Sequence, residues 1–187
     1  MEKELARYLH ELGLLKRIKR SGWWIAGIED PESVAEHSFR AAVVACFLAR
    51  QEGADAWKAA TMALLHDTGE ARVNDLHRLG RSYVDWSGVE EKVIADQTRN
   101  LPAALGGEVR TLLEEIRRGE SAEARIVKDA DGIECLLQAR EYAAAGHDVE
   151  EWIRSSVDEL RTESAKKLAR AILAVRPHDW RRPAGGR

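Results

Sequence analysis

Apolar residues recur every three or four positions through nearly the whole chain, and strict apolar–polar alternation is almost absent. That period belongs to the α-helix, whose core face repeats every 3.6 residues, and not to a strand. Leu5, Leu9, Leu12, Leu15 and Ile18 form one such stripe, and Ile126, Ala130, Ile133 and Leu137 another. With only four prolines to interrupt them, the helices have room to be long. The chain is therefore expected to be all-α, a bundle of about six to seven helices.

The punctuation sets where they stop. A first helix from Glu2 to about Arg20 ends at Ser21-Gly22, and its last turn is basic, which suits the helix dipole. Asp30-Pro31-Glu32-Ser33 opens the next; Ser33 with Glu36 offers a capping box if the start falls later. A third helix runs from about Asp55 into Ala63–Glu70. Two more are expected near 87–100 and 107–118, a long one over 122–145, and a last one over 149–175. Residues 1–175 read as a single domain and 176–187 as a C-terminal extension in which Trp180 could dock.

Composition narrows the function. Twenty-nine basic against 32 acidic residues give a net charge of −3, so nothing in bulk electrostatics favours nucleic acid or an anionic membrane. No apolar run reaches the roughly 18 residues of a membrane span. The start is charged, with no apolar stretch of a signal peptide. Cys46 and Cys135 lie in helical apolar patterns without a CxxC spacing and read as reduced thiols of a cytoplasmic protein.

Against this apolar background a few polar residues stand out. His37 interrupts the stripe Val34, Ala41, Val44, Leu48, and Asp67 follows Trp57, Ala60, Leu64 at the same spacing. His66 and Asp67 are adjacent; on a continuous helix Glu70 shares their face. Asp129, Asp131 and Glu134 are candidate carboxylates on the long helix, Asp131 flanked one turn away by Val127 and Cys135. Buried imidazole and carboxylate cost several kcal/mol without partners. Two imidazoles and two carboxylates (His37, His66, Asp67, Asp131) suit one divalent ion among Mn²⁺, Co²⁺, Mg²⁺, Fe²⁺ and Zn²⁺. Glu70 is then placed to move a proton or position a water. Of Trp23 and Trp24, one indole is expected to cover the core and the other to seal a helix end, the sharper alternative being a pocket wall.

The order His37, His66-Asp67, Asp131 resembles the H…HD…D signature of the HD-domain metal-dependent phosphohydrolases. Lys19-Arg20-Ser21-Gly22-Trp23, Pro31 to His37, His66-Asp67-x-x-Glu70, Asn74-Asp75, Val127-Lys128-x-x-Asp131 and Leu137-Gln138-Ala139-x-Glu141-Tyr142 sharpen it. Together they resemble the YfbR-like 5′-deoxynucleotidases and their archaeal and eukaryotic relatives, over roughly residues 15–143. The resemblance implies an HD-domain helical bundle with His37, His66, Asp67 and Asp131 as metal ligands. It implies Glu70 as the residue assisting the water or leaving group, Asp75 as a second acidic site residue, and Trp23 and Arg20 as substrate contacts. The reaction implied is hydrolysis of a (deoxy)nucleoside 5′-monophosphate to nucleoside and phosphate, by a homodimer. Gly22, rather than an arginine, precedes Trp23 here.

Two alternatives stay open. Another nucleotide, cyclic or polyphosphorylated, is one, although Ala71 after Glu70 departs from the HDxxED of the guanosine tetraphosphate enzymes. A non-catalytic metal- and nucleotide-binding protein is the other, against which Glu70 and Asp75 speak.

Overall fold

The computed structural model describes residues 1–181. Its helices are α1 (Glu2–Leu12), α2 (Gly22–Ile25), α3 (Val34–Glu52), α4 (Ala56–Leu65), α5 (Glu70–Val73) and α6 (Arg78–Arg81), followed by α7 (Trp86–Thr98), α8 (Ala103–Arg118), α9 (Ala122–Ala144), α10 (Glu150–Asp158) and α11 (Glu163–Ala174). The expected all-α class holds. Among the described residues the extended pairing is one isolated bridge, Lys19 with Ser33.

The core forms where α3, α4, α8, α9 and α11 meet, with α9 at the centre and α10 packed against it. Small residues let the central helices approach closely: Ala45 and Ala49 on α3, Ala59 and Ala63 on α4, and Ala130 on α9 are all fully buried. Leu48, Met62, Ile126, Ile133 and Leu136 fill the space between them. Each such large side chain contributes about 1.5–3 kcal/mol on burial.

Sequence and structure part company at several helix ends. Of the two readings of α3's start, the later one is correct: Ser33 accepts from the Glu36 N–H while Glu36 accepts from the Ser33 N–H. The helix expected over 149–175 is two helices, which raises the number of helices of nine or more residues to eight among those described. The cause is Asp129, buried on α9, whose carboxylate accepts from the backbone N–H of Arg161 and Thr162 and from the Thr162 hydroxyl. Thr162 in turn caps α11.

On α4 the expected inward stripe points outward: Trp57 is 73% and Leu64 51% exposed, and the buried face is Ala56, Ala59, Met62 and Ala63. Trp180, which the sequence left free to dock, is exposed, with the Arg181 guanidinium over its ring. The rest of the expected C-terminal extension, 182–187, lies outside the described residues.

Candidate metal centre

α4 ends at Leu65, with His66 as its C-cap, and a tight turn leads into α5 at Glu70. His66, Asp67 and Glu70 therefore do not lie on one continuous helical face, as expected from sequence. The turn still gathers them, because successive bonds from the Thr68 N–H to Leu65 O and from the Glu70 N–H to Asp67 O keep the chain tightly wound. His37 comes from α3 and Asp131 from α9. Arg20 is carried in by the segment after α1, stapled to the start of α3 by the Arg20 N–H to Glu32 O and Val34 N–H to Ile18 O hydrogen bonds.

Three donor atoms, from His37, His66 and Asp67, lie within 4.8 Å of one another, and Asp131 adjoins them at His37. His37 Nε2 lies 3.3 Å from His66 Nε2, 3.2 Å from Asp131 Oδ1 and 3.8 Å from Asp67 Oδ2. His66 Nε2 lies 3.1 Å from Asp67 Oδ2. The other nitrogen of each ring is committed. His66 Nδ1 is 2.7 Å from the Ala63 carbonyl, which can only accept, and His37 Nδ1 is 2.5 Å from Glu134 Oε2. Neutral imidazoles that donate from Nδ1 present bare lone pairs at Nε2. The centre of the cluster is thus a set of acceptors facing one another, which only a cation or added protons can reconcile.

The electrostatics express the same demand. Burial and the Arg20 charge oppose protonation of His37, yet hydrogen bonds to Asp131 and Glu134 hold it at about 10. His66 is raised, its burial outweighed by Asp67. Against their burial, Asp67 is held far below the carboxylate range by His66 and Arg20, and Asp131 by His37 and Arg20. The donor set fits a divalent ion of the borderline or hard kind.

On one side of this cluster the polar atoms are satisfied in series. Glu134, wholly buried, receives His37 on one oxygen and the Arg40 Nε–H on the other at 2.8 Å. Arg40 also donates to Gln138 and Glu141, at 2.7 Å each. Glu32 lies behind His37 with its carboxyl pushed up to about 7 by burial and by Glu134. On the other side, burial together with Asp67 and Asp75 raises Glu70 to about 10. Its Oε1 accepts from Arg81 at 3.1 Å, while Oε2 is buried with no partner. Asp75 accepts from the Ser21 N–H at 2.5 Å. A cavity of about 90 Å³ opens here, lined by His66, Asp67, Glu70, Arg81, Trp86 and Glu90 among others.

Of the residues expected from sequence, His37, His66, Asp67, Asp131, Glu70 and Arg20 share one site, Arg20 lying 3.5 Å from both Asp67 and Asp131. Asp75 borders it. Trp23 does not form an open wall: it is buried between Tyr142 and Trp152 and donates from Nε1 to Glu32. The reading of one indole in the core therefore holds for Trp23, whereas Trp24 is 54% exposed. Asp129 faces away and serves the α10–α11 break. Arg40 and Arg81 carried no signal in sequence, being two arginines among many; Glu134 had one, an acidic residue one helical turn after Ala130 and beside Ile133.

An all-α bundle that brings a histidine, a His-Asp pair and a distant aspartate together in this order is an HD domain. The family model described as HD domain matches residues 12–174, and the chain belongs to that family. It is 35% identical over 150 residues to the 5′-deoxynucleotidase HDDC2 of Dictyostelium discoideum, covering 76% of this chain and 79% of that one. It is 34% identical over 146 residues to the human 5′-deoxynucleotidase HDDC2, covering 78% and 71% respectively. Among solved structures, a conserved hypothetical protein from Pyrococcus furiosus superposes with a TM-score of 0.78 at 30% identity, over 91% of this chain and 99% of the other.

Proposed function

We propose that this chain is a metal-dependent phosphohydrolase that converts deoxynucleoside 5′-monophosphates to nucleoside and phosphate. The observation that carries the reading is the convergence of His37, His66 and Asp67, joined at His37 by Asp131, from three separated segments, with the buried, half-partnered Glu70 beside them. The relatives named 5′-deoxynucleotidase support the choice of substrate.

His37 Nε2, His66 Nε2, Asp67 and Asp131 would hold one divalent ion. Bound there, such an ion supplies Lewis acidity, polarising a phosphoryl oxygen and making water more acidic. Arg20, between the two aspartates, offers the substrate phosphate a cation that is already inside the site. Asp75 fastens the backbone of Ser21, and with it the Arg20 segment, to the turn after α5. Glu70 holds its proton in a buried place beside the cluster, so it can deliver one to the leaving nucleoside oxygen or, once ionised, accept one from water. Trp23 reaches the site through Glu32, shaping it from behind.

The same reading covers residues 1–175 as one domain and the protein as a cytoplasmic homodimer. Two free cysteines are in keeping with a reducing compartment, and no described helix is long and apolar enough to cross a membrane. Phe39, Val43 and Phe47, 68%, 40% and 62% exposed and one turn apart on α3, support self-association, which sedimentation of a Phe39→Asp/Phe47→Asp variant tests.

The deciding experiment is phosphate release from a panel of deoxy- and ribonucleoside 5′-monophosphates, with cyclic and polyphosphorylated nucleotides alongside, in Mn²⁺, Co²⁺ or Mg²⁺. Release confined to monophosphates and absent in Glu70→Ala supports the proposal. Metal binding without release from any nucleotide points instead to a binding protein.

A further inference from the structure

We infer that Glu134 is a positioning residue for His37, and that Arg40 dictates how Glu134 does it. This rests on the reading of His37 as a metal ligand. Three facts carry it. Glu134 is the one carboxylate bonded to His37 Nδ1, at 2.5 Å, and both groups are wholly buried, so no water competes for either. Arg40, one turn after His37 on α3, approaches the other carboxylate oxygen with Nε at 2.8 Å and Nη2 at 2.7 Å. Arg40 is itself fixed by Gln138 and Glu141, one and two turns after Glu134 on α9. The chain Glu141–Arg40–Glu134–His37 thus runs from the surface into the donor cluster and crosses between α3 and α9 three times.

A carboxylate has acceptors on both oxygens. It can take the Nδ1–H of His37 and the two N–H groups of Arg40 together, leaving the His37 Nε2 lone pair aimed at Asp131 and His66. An amide in the same place cannot. Its one oxygen is claimed by Arg40, which can only donate, so its NH₂ is turned towards His37 Nδ1. His37 then has to accept at Nδ1 and carry its hydrogen on Nε2, pointing into the donor cluster. Glu134→Gln, nearly identical in size, therefore presents the wrong tautomer. Removing Arg40 as well frees the amide to rotate, so its oxygen can again accept from His37 Nδ1.

The test is a calorimetric titration of the metal-free full chain with Mn²⁺, comparing wild type, Glu134→Gln, the Arg40→Met/Glu134→Gln double variant and His66→Ala. Glu134→Gln is expected to bind about 10–100-fold more weakly, the size typical of a lost ligand-orienting partner. The double variant is expected to regain a large part of that loss. A residue that served only packing would give a double variant at least as weak as the single one, and that result overturns the inference. Wild-type affinity in Glu134→Gln, with affinity lost in His66→Ala, also overturns it and leaves the ligand set standing. Wild-type affinity in both overturns the ligand set and the inference with it. Glu134→Asp keeps the charge but withdraws the carboxylate from Nδ1; it is expected to weaken binding in the same direction, and it decides the matter if the glutamine variant does not fold.

Discussion

The two walls of the site are built on opposite principles. The wall formed by α3 and α9 is a closed chain of hydrogen bonds in which His37, Glu134 and Arg40 each have fixed partners. The wall formed by the turn after α4, with α5 and α6, is unfinished: Glu70 Oε2 is buried without a partner, and Asn74 takes a left-handed φ of 62°. Two long helices packed through alanines can hold an imidazole still. A short turn followed by a four-residue helix does not supply a partner to every polar atom it buries. The first wall therefore suits holding an ion, and the second suits moving a proton, which needs a group with a spare lone pair near the reacting atoms.

Asp67 belongs to both walls, and its loss should break both. In Asp67→Ala the cluster keeps both histidines but loses the carboxylate facing His66 and Arg20. Phosphate release is expected to fall at least about a thousandfold, several kcal/mol of barrier, with metal content near zero by elemental analysis. Retained metal with full turnover would mean that the two walls do not meet at Asp67.

Glu70 separates them. Glu70→Gln leaves His37, His66, Asp67 and Asp131 in place, so the protein should still bind Mn²⁺ as wild type does. Turnover should drop on the order of 10²–10⁴-fold, the usual worth of a positioned acid or base. An equal loss of metal and turnover would show that Glu70 belongs with the ion-holding wall.

Much of this was legible in the chain. The helical period gave the class because buried faces must repeat every 3.6 residues, and the His37 intrusion stood out because imidazole in an apolar stripe is costly. The α4 stripe misled because alanines were too small to register as a core face, while Trp57 and Leu64, large and apolar, are exposed. Trp23 was legible as buried, but not its hydrogen bond to Glu32, which depends on a loop closing back on α3. The break between α10 and α11 was hidden because its cause, Asp129, lies 32 residues before Arg161. Nothing local marks a helix end that a distant carboxylate imposes.

Asp129 lies behind the ion-holding wall, two residues before Asp131, and tests how far that wall depends on its support. It satisfies two backbone N–H groups and a hydroxyl in a buried place, so Asp129→Ala strands all three. Stability should fall by about 2–3 kcal/mol, read from urea unfolding. Turnover at a temperature where the variant is folded should stay near wild type. A comparable loss of turnover would mean that α9 transmits the break to Asp131.

At neutral pH with metal bound the least visible effect concerns the proton held on the unfinished wall, which a pH series on the metal-free chain brings out. In the metal-free chain Glu70 is raised to about 10 by burial, Asp67 and Asp75, whereas unfolded it returns to about 4.3. Below about pH 4 both states hold the proton and Glu70 contributes no slope. Between the two values the unfolded chain has released it and the folded chain has not, so folding takes up a proton and stability is lost as pH rises through that window. His37, raised to about 10, adds a loss of the same sign, while Asp67 and Asp131, held low, titrate below it. These three are common to wild type and Glu70→Gln and drop out of the difference. Measured with chelator present, the wild-type Tm should fall more steeply than that of Glu70→Gln from about pH 5 to 9, by about ten degrees or more in all. Parallel curves would mean that Glu70 is ionised in the folded chain, and the contrast between a wall that binds and a wall that keeps a proton would then rest on Glu70's turnover effect alone.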